Sequence, residues 1–187
     1  MSTTTTSPTT EIPTGTWTSD RIHSTFTFSV RHMVVATYRG GFQDFDVTLE
    51  TGDGGEPVLT GAARAVSAKT QDPNLDAHLQ SPDFFDASRY PEVTYRSTRI
   101  VREGEEGIRI EGELTLRGVT RPVELTGSIL GPATSLDGSP KLGLELEARI
   151  DRRDFGITWN APLPGGGLVL GDEVRLSAEL EMGGVER

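Results

Sequence analysis

The chain has 187 residues, a formal net charge of −10 and no cysteine. Disulfides, thiolate metal sites and cysteine nucleophiles are therefore excluded, and a surface this acidic repels phosphate backbones and anionic headgroups, so nucleic acid is not an expected partner. Apolar residues make up 34% of the chain with no run of about 18, which fits a sheet with one wet face and no membrane-spanning segment.

Met1 to Thr14 holds seven threonines and lacks the basic start and apolar middle of a secretory signal. It is expected to be a disordered tail, residues 1–14, on a cytoplasmic protein whose single domain covers residues 15–183. Trp17 opens the ordered part. From Ile22 to Val35 the chain alternates, with Phe26, Phe28 and Val30 on one parity and Thr25, Thr27, Ser29 and Arg31 on the other. Strand side chains alternate faces, so this reads as one long strand with a single apolar side. Gly40-Gly41 reads as a turn or bulge. A second strand carries Phe45, Val47 and Leu49 against Asp46, Thr48 and Glu50. Turn residues Thr51 to Gly55 lead to a third, alanine-rich strand from Val58 to Ala68.

Residues 72–86 break the alternation. Asp72 is placed to cap a short helix with Pro73 at its first position; Leu75 and Leu79 share a face, and Ser81-Pro82-Asp83 stops it. Phe84-Phe85 and Tyr90-Pro91 lead back to extended chain. Five more strands follow, with inward rows expected at Val93 and Tyr95; Ile108, Ile110, Leu114 and Leu116; Val123, Leu125 and Ile129; Leu142, Leu144, Leu146, Ala148 and Ile150; and Val174 to Met182. Gly131 to Pro140 reads as an ordinary turn-rich loop, and Asn160 to Gly171 as a long hairpin loop or a flap over one barrel mouth. Eight antiparallel strands and one helical insertion predict an all-β protein, a barrel that closes to remove its sheet edges and leaves room for side chains or one slender ligand.

Catalytic and metal signatures are absent. His23, His32 and His78 form no His-x-His or His-x-x-x-His pair. His32 shares parity with the Phe26 row near one strand end, as a backbone-bonded histidine or a headgroup contact, and His78 is placed to pin the insertion. Asp83 reads as a turn residue and Asp154 as part of local ion pairs with Asp151, Arg152 and Arg153. There is no Gly-x-Ser-x-Gly elbow and no phosphate loop around Gly165-Gly166-Gly167.

Four ordered segments carry a resemblance. The first is Trp17-Thr-Ser-Asp20 with His23-Ser24, Phe28-x-Val30-x-His32 and Gly41-Phe42-x-x-Phe45. The second is Asp76-Ala-His78-Leu79-x-Ser81-x-Asp83-Phe84-Phe85-Asp86. The third is Gly112-x-Leu114-Thr115-Leu116-x-Gly118-Val119-Thr120-x-Pro122-Val123. The fourth is Arg153-x-Phe155-Gly156-Ile157 with Gly171-Asp172-Glu173-Val174. Together they resemble the YceI-like family of polyisoprenoid-binding proteins. One departure is that Asp76-Ala77 stands where the family often has Arg-Asp.

The resemblance implies an extended lipocalin-like barrel enclosing an isoprenoid, such as a polyprenyl phosphate or quinone, for carriage or sequestration without catalysis. A prenyl tail of ~30 carbons at ~0.3 kcal/mol per atom would give about 9 kcal/mol, micromolar or tighter. The residues expected to line its cavity, a tunnel of several hundred Å3, are Phe26, Phe28, Val30 and His32 of the first strand and Phe45 of the second. Phe84 and Phe85 join them from the insertion, Tyr95, Leu114, Leu116, Leu144 and Leu146 from later strands, and Phe155, Trp159 and Leu168 from the last connection. No cofactor or metal is expected. The resemblance leaves a homodimer open, and two other readings stand beside the carrier: an enzyme using the barrel as a reaction chamber, and an interaction module with a filled core.

Overall fold

In the computed structural model, which describes residues 12–52 and 56–185, the alternating segments become one closed antiparallel sheet. In chain order the strands are β1 (Gly15–Ser19), β2 (Thr25–His32), β3 (Ala36–Phe42), β4 (Phe45–Thr51), β5 (Val58–Arg64), the two-residue β6 (Ala68–Lys69), β7 (Glu92–Glu103), β8 (Gly107–Leu116), β9 (Val119–Thr134), β10 (Pro140–Asp151) and β11 (Leu170–Val185), with helix α1 (Pro73–Gln80) between β6 and β7. β1 and β2 are two halves of one stave, and so are β3 and β4. β11 pairs with β10 on one side and with both β1 and β2 on the other, which closes an eight-stave barrel. Closure leaves no long edge strand open to another chain.

The breaks in the staves have local causes. Asp20 Oδ1 accepts from the N–H groups of Ile22 and His23, at 2.8 and 3.3 Å, and so turns the chain out of β1. The first strand is shorter than its pattern suggests. It ends at His32, and Met33, Val34 and Val35 form a tight turn with positive φ at Met33 (49°) and Val34 (64°). Gly40-Gly41 is not a turn: both lie inside β3, opposite Phe28 and Thr27. The ordered chain also begins earlier than residue 15. Ile12 packs on the core and Pro13 O accepts from Trp17 Nε1 at 3.1 Å; residues 1–11 of the expected tail lie outside the described residues.

The helix forms as its capping residues direct. Asp72 accepts from Asn74 N–H at 2.8 Å, Pro73 occupies the first turn, and Leu79 is buried. The turns at 104–106 and 135–139 mark the lower end of the barrel. The 33–35 turn, α1 with the segment to Pro91, and the 156–169 connection mark the upper end. Trp17, Leu49, Ile108, Ile129, Leu142, Leu144 and Met182 fill the lower end as solid core.

Candidate functional site

The strand parities send Phe26, Phe28 and Val30 into the barrel, while Thr25, Thr27 and Arg31 are exposed. Above the solid lower core the interior holds two cavities of about 90 Å3 each. The lower one is lined by Phe45, Leu59, Tyr95, Val123, Leu125, Leu146 and Leu180, and the upper by Phe28, Val30, Phe42, Leu79, Phe84, Phe85, Leu116 and Ile150. Phe26, Val93, Leu114 and Leu176 line both and form a waist between them. At the waist the Phe26 ring stacks on Phe42, with centroids 5.0 Å apart, and meets Phe45 edge-on at 6.1 Å. A single tunnel of several hundred Å3 is therefore not what the barrel holds. Phenylalanines divide the space, and each chamber is smaller than the ~150 Å3 apolar cavity that admits benzene.

Tyr95 and Arg152 bring polar side chains to the chamber walls, and both are engaged. Tyr95 reaches the carbonyls of Val123 and Ile110, at 3.0 and 3.2 Å. Burial first, and then the charges of Glu124 and Glu111, push its phenol well above its ordinary range, so it stays neutral. Arg152 borders the upper chamber and is 4% exposed. Its Nε donates to Gly171 O at 2.8 Å, Nη1 to Ile157 O and Trp159 O at 2.9 and 2.8 Å, and Nη2 to Asp172 at 3.2 Å. It thus ties the 156–169 connection to the start of β11. The sequence expects local ion pairs here, and both arginines form them: Arg152 with Asp172 at 3.2 Å, and Arg153 with Asp151 at 2.6 Å and Asp172 at 3.2 Å. Asp154 makes no ion pair within 4.0 Å among the described residues.

Of the residues expected around a ligand, Phe26, Phe28, Val30, Phe45, Phe84, Phe85, Tyr95, Leu114, Leu116 and Leu146 line one chamber or both. Five do not. Leu144 points inward but is 1% exposed within the solid lower core. Phe155 is sealed beneath the short turn after β10. Trp159 lies one layer out, tilted at 49° against Phe84 with centroids 5.5 Å apart and met edge-on by His78 at 4.9 Å. Leu168 is half exposed at the rim. His32 lies at the upper end of β2, with its ring tilted toward Tyr38 and no backbone bond to its side chain among the described residues. His78 does pin the insertion, through Asp83 at 2.9 Å. Asp76, which stands where the family often has arginine, is buried and accepts from Thr70 N–H and Oγ–H at 2.6 and 2.7 Å.

Residues 17–182 match the YceI-like domain family. The chain belongs to the YceI-like family. Among curated relatives it is similar to the UPF0312 protein SA2479 of Staphylococcus aureus, 32% identical over 171 residues that cover 88% of this chain and 95% of that one. Among solved structures, the Campylobacter jejuni YCEI protein is 28% identical over 83% of this chain and 90% of its own, with a TM-score of 0.69. Two more distant structures share the fold. Burkholderia cenocepacia BcnA has a TM-score of 0.74 at 19% identity, covering 87% of this chain and 98% of its own. A polyisoprenoid binding domain from Saccharophagus degradans has 0.69 at 12%, covering 92% and 100%.

Sequence reasoning missed Phe42, Val93 and Leu176 as chamber walls, although Phe42 sits directly across the ladder from Phe26. Asn160, which the sequence marks only as the start of a loop, has a structural role. Its side chain bonds Leu170 N–H and C=O, at 2.9 and 2.8 Å, and clamps the base of the 160–169 hairpin. Outside the chambers, Asp20, His23 and Glu181 bring three ligand-type atoms within 4.8 Å of one another. Lys141 Nζ lies 3.1 Å from Glu181 and 3.9 Å from Asp20, so an ammonium already serves those carboxylates. No helix among the described residues is long and apolar enough to cross a membrane.

Proposed function

We propose that this YceI-like barrel binds a long, slender isoprenoid or similar amphiphile in its interior and carries or sequesters it without chemical change. The observation that carries the reading is the pair of apolar chambers separated only by the Phe26, Val93, Leu114 and Leu176 waist. The polyisoprenoid binding of the Saccharophagus degradans neighbour gives the ligand class. Apolar walls favour a prenyl or alkyl chain by about 25 cal/mol per Å2 removed from water. The chain enters by displacing the Phe26 ring, since neither chamber alone holds more than a fragment of it.

A reaction chamber would need a perturbed acid or base facing the cavity. Of the titratable residues on the chamber walls among the described residues, Asp46 and Glu147 turn their carboxylates outward to Arg21 and Arg175, and the inward Tyr95 and Arg152 are engaged by the bonds described above. That favours binding over catalysis. The test is mass spectrometry of an organic extract of purified protein, paired with titration of a fluorescent prenyl probe. A prenyl-containing molecule in the extract and saturable probe binding are expected. A folded protein with an empty extract and no saturable binding would leave the filled-core interaction module as the better account.

A further inference from the structure

The 33–35 turn carries side chains that the fold does not use. Val35 is 85% exposed, Val34 73%, and Met33 46%, and Leu168 of the neighbouring hairpin is 50% exposed. The two segments are joined: Met33 N–H donates to Val169 O at 2.7 Å, and His32 pairs with Leu170. Met33 and Val34 adopt left-handed backbone, with φ of 49° and 64°. That conformation is costly for a β-branched residue, and here it turns apolar groups into water.

The charge pattern says what covers them. The chain carries −10 overall, yet Ser24 to Gln43 contains no carboxylate and two arginines, Arg31 and Arg39. Neither arginine has a carboxylate within 4.0 Å among the described residues; both lean on Thr37, Arg31 on its hydroxyl and Arg39 on its carbonyl. Phe155 to Gly171 contains no ionisable residue at all. The acids of this end lie on the α1 insertion (Asp72, Asp76, Asp83 and Asp86) and at Asp151, Asp154, Asp172 and Glu173; Asp172 and Glu173 follow Gly171, which packs on Arg31, but their carboxylates are taken up by Arg152 and Arg153 and by Arg149. The tip is thus a cationic and apolar spot on an acidic protein.

We propose that the Met33–Val35 tip, with Leu168 beside it and Arg31 and Arg39 behind, docks the barrel on an anionic lipid bilayer. Apolar side chains enter the headgroup boundary while the arginines meet lipid phosphates, each strengthening partition about fivefold. The remaining acids repel the same surface, but charges beyond about 10 Å are screened at ordinary ionic strength, so only the tip-down orientation is attractive. Val30 and Leu170, which flank the tip, also line the upper chamber, so docking brings that chamber to the membrane. A second copy of the chain is a poorer occupant: four side chains fall well short of the about 800 Å2 per partner of a stable dimer. The inference stands independently of what the chambers hold.

The experiment is co-sedimentation of the full chain with vesicles of phosphatidylcholine, with and without phosphatidylglycerol, alongside light scattering. Wild type is expected to bind the anionic vesicles. The pair Val34→Asp with Val35→Asp should lose binding at least tenfold. The pair Arg31→Gln with Arg39→Gln should lose the preference for phosphatidylglycerol, by about tenfold or more. Leu136→Asp, on a still more exposed leucine at the lower end, should bind like wild type. Melting curves confirm that each variant folds. No binding by wild type, equal loss in the Leu136 variant, or a wild-type dimer that the tip variants split into monomers would each overturn the proposal.

Discussion

The ring of Phe28 lies so close over Gly40 that a Cβ there would stand 2.5 Å from its Cζ. β2 and β3 pair these two residues directly. Glycine is needed for the ring to lie down along the sheet rather than stand into the upper chamber.

Gly40→Ala therefore meets a well-packed ring on one side and Lys69 O, 3.0 Å away, on the other. Overpacking of this kind costs about 1 to 3 kcal/mol, which for a domain of this size lowers the melting temperature by about 3 to 10 °C. Thermal unfolding followed by circular dichroism measures it. An unchanged midpoint would show that Phe28 is not held against the strand.

Leu144 gives a different expectation from the one its row suggests. It pairs with Leu180 and Ile129 in the solid lower core and borders neither chamber. Leu144→Ala should cost about 2 to 5 kcal/mol, and Leu144→Glu, which buries an unpaired charge, should prevent stable folding. Glu145 points out of the same strand, so Glu145→Leu should stay within about 0.5 kcal/mol of wild type. Urea denaturation separates the three. A Leu144→Glu protein that unfolds at the wild-type midpoint would place Leu144 in open space instead.

These residues also mark what the sequence could and could not reveal. Period-two alternation is a direct record of which side chains face in, so the rows Phe26-Phe28-Val30 and Leu142-Leu144-Leu146 were legible, as was the Asp72-Pro73 helix start. The 33–35 turn was not, because Met-Val-Val has none of the usual turn residues and is held by its left-handed backbone and by the Met33 N–H bond to Val169 O. Gly40-Gly41 misled for the opposite reason: turn-type residues were there to make room for Phe28. Arg152 was hidden by its acidic and basic neighbours, since its role depends on backbone carbonyls of Ile157, Trp159 and Gly171 that only the folded connection brings to it. Chamber volume is a small difference between barrel size and side-chain bulk, and no local pattern encodes it.

Acid should weaken the upper end of the barrel in a defined window. The Arg153 guanidinium and the Arg153 N–H hold the Asp151 carboxyl down to about 2, against an ordinary value of 3.8. A group depressed on folding stabilises the native state above its unfolded pKa, and that contribution is lost as pH falls through the folded value. The loss attributable to Asp151 should therefore fall between about pH 4 and pH 2. Asp76 is lowered too, chiefly by the Thr70 hydroxyl, and contributes in the same direction. Asp151→Asn should flatten the stability–pH slope in this window relative to wild type, with little change in slope near neutrality. Denaturation midpoints taken across the acid range read the difference, and parallel curves for the two proteins would sever the link.

Phe26 is the residue on which entry of a long chain turns. Its ring is shared by both chambers, is stacked on Phe42 and is only partly buried. Phe26→Ala would join two 90 Å3 spaces and add the volume of the lost ring. The joined space passes the ~150 Å3 at which an apolar cavity takes up an aromatic guest. The substitution should cost about 3 kcal/mol of stability, because the ring leaves apolar contacts behind. Binding should move the other way. Wild type must displace the ring to admit a chain, and the variant need not, so a prenyl probe should bind about tenfold tighter if about 1.4 kcal/mol of that cost is removed. The gain should grow with chain length, since short probes fit one chamber and never meet the waist. Titration of a probe series against both proteins, each checked by melting, measures this. If neither protein binds any probe, the carrier reading fails; if both bind with the same length profile, Phe26 is not the barrier and the chambers communicate by another route.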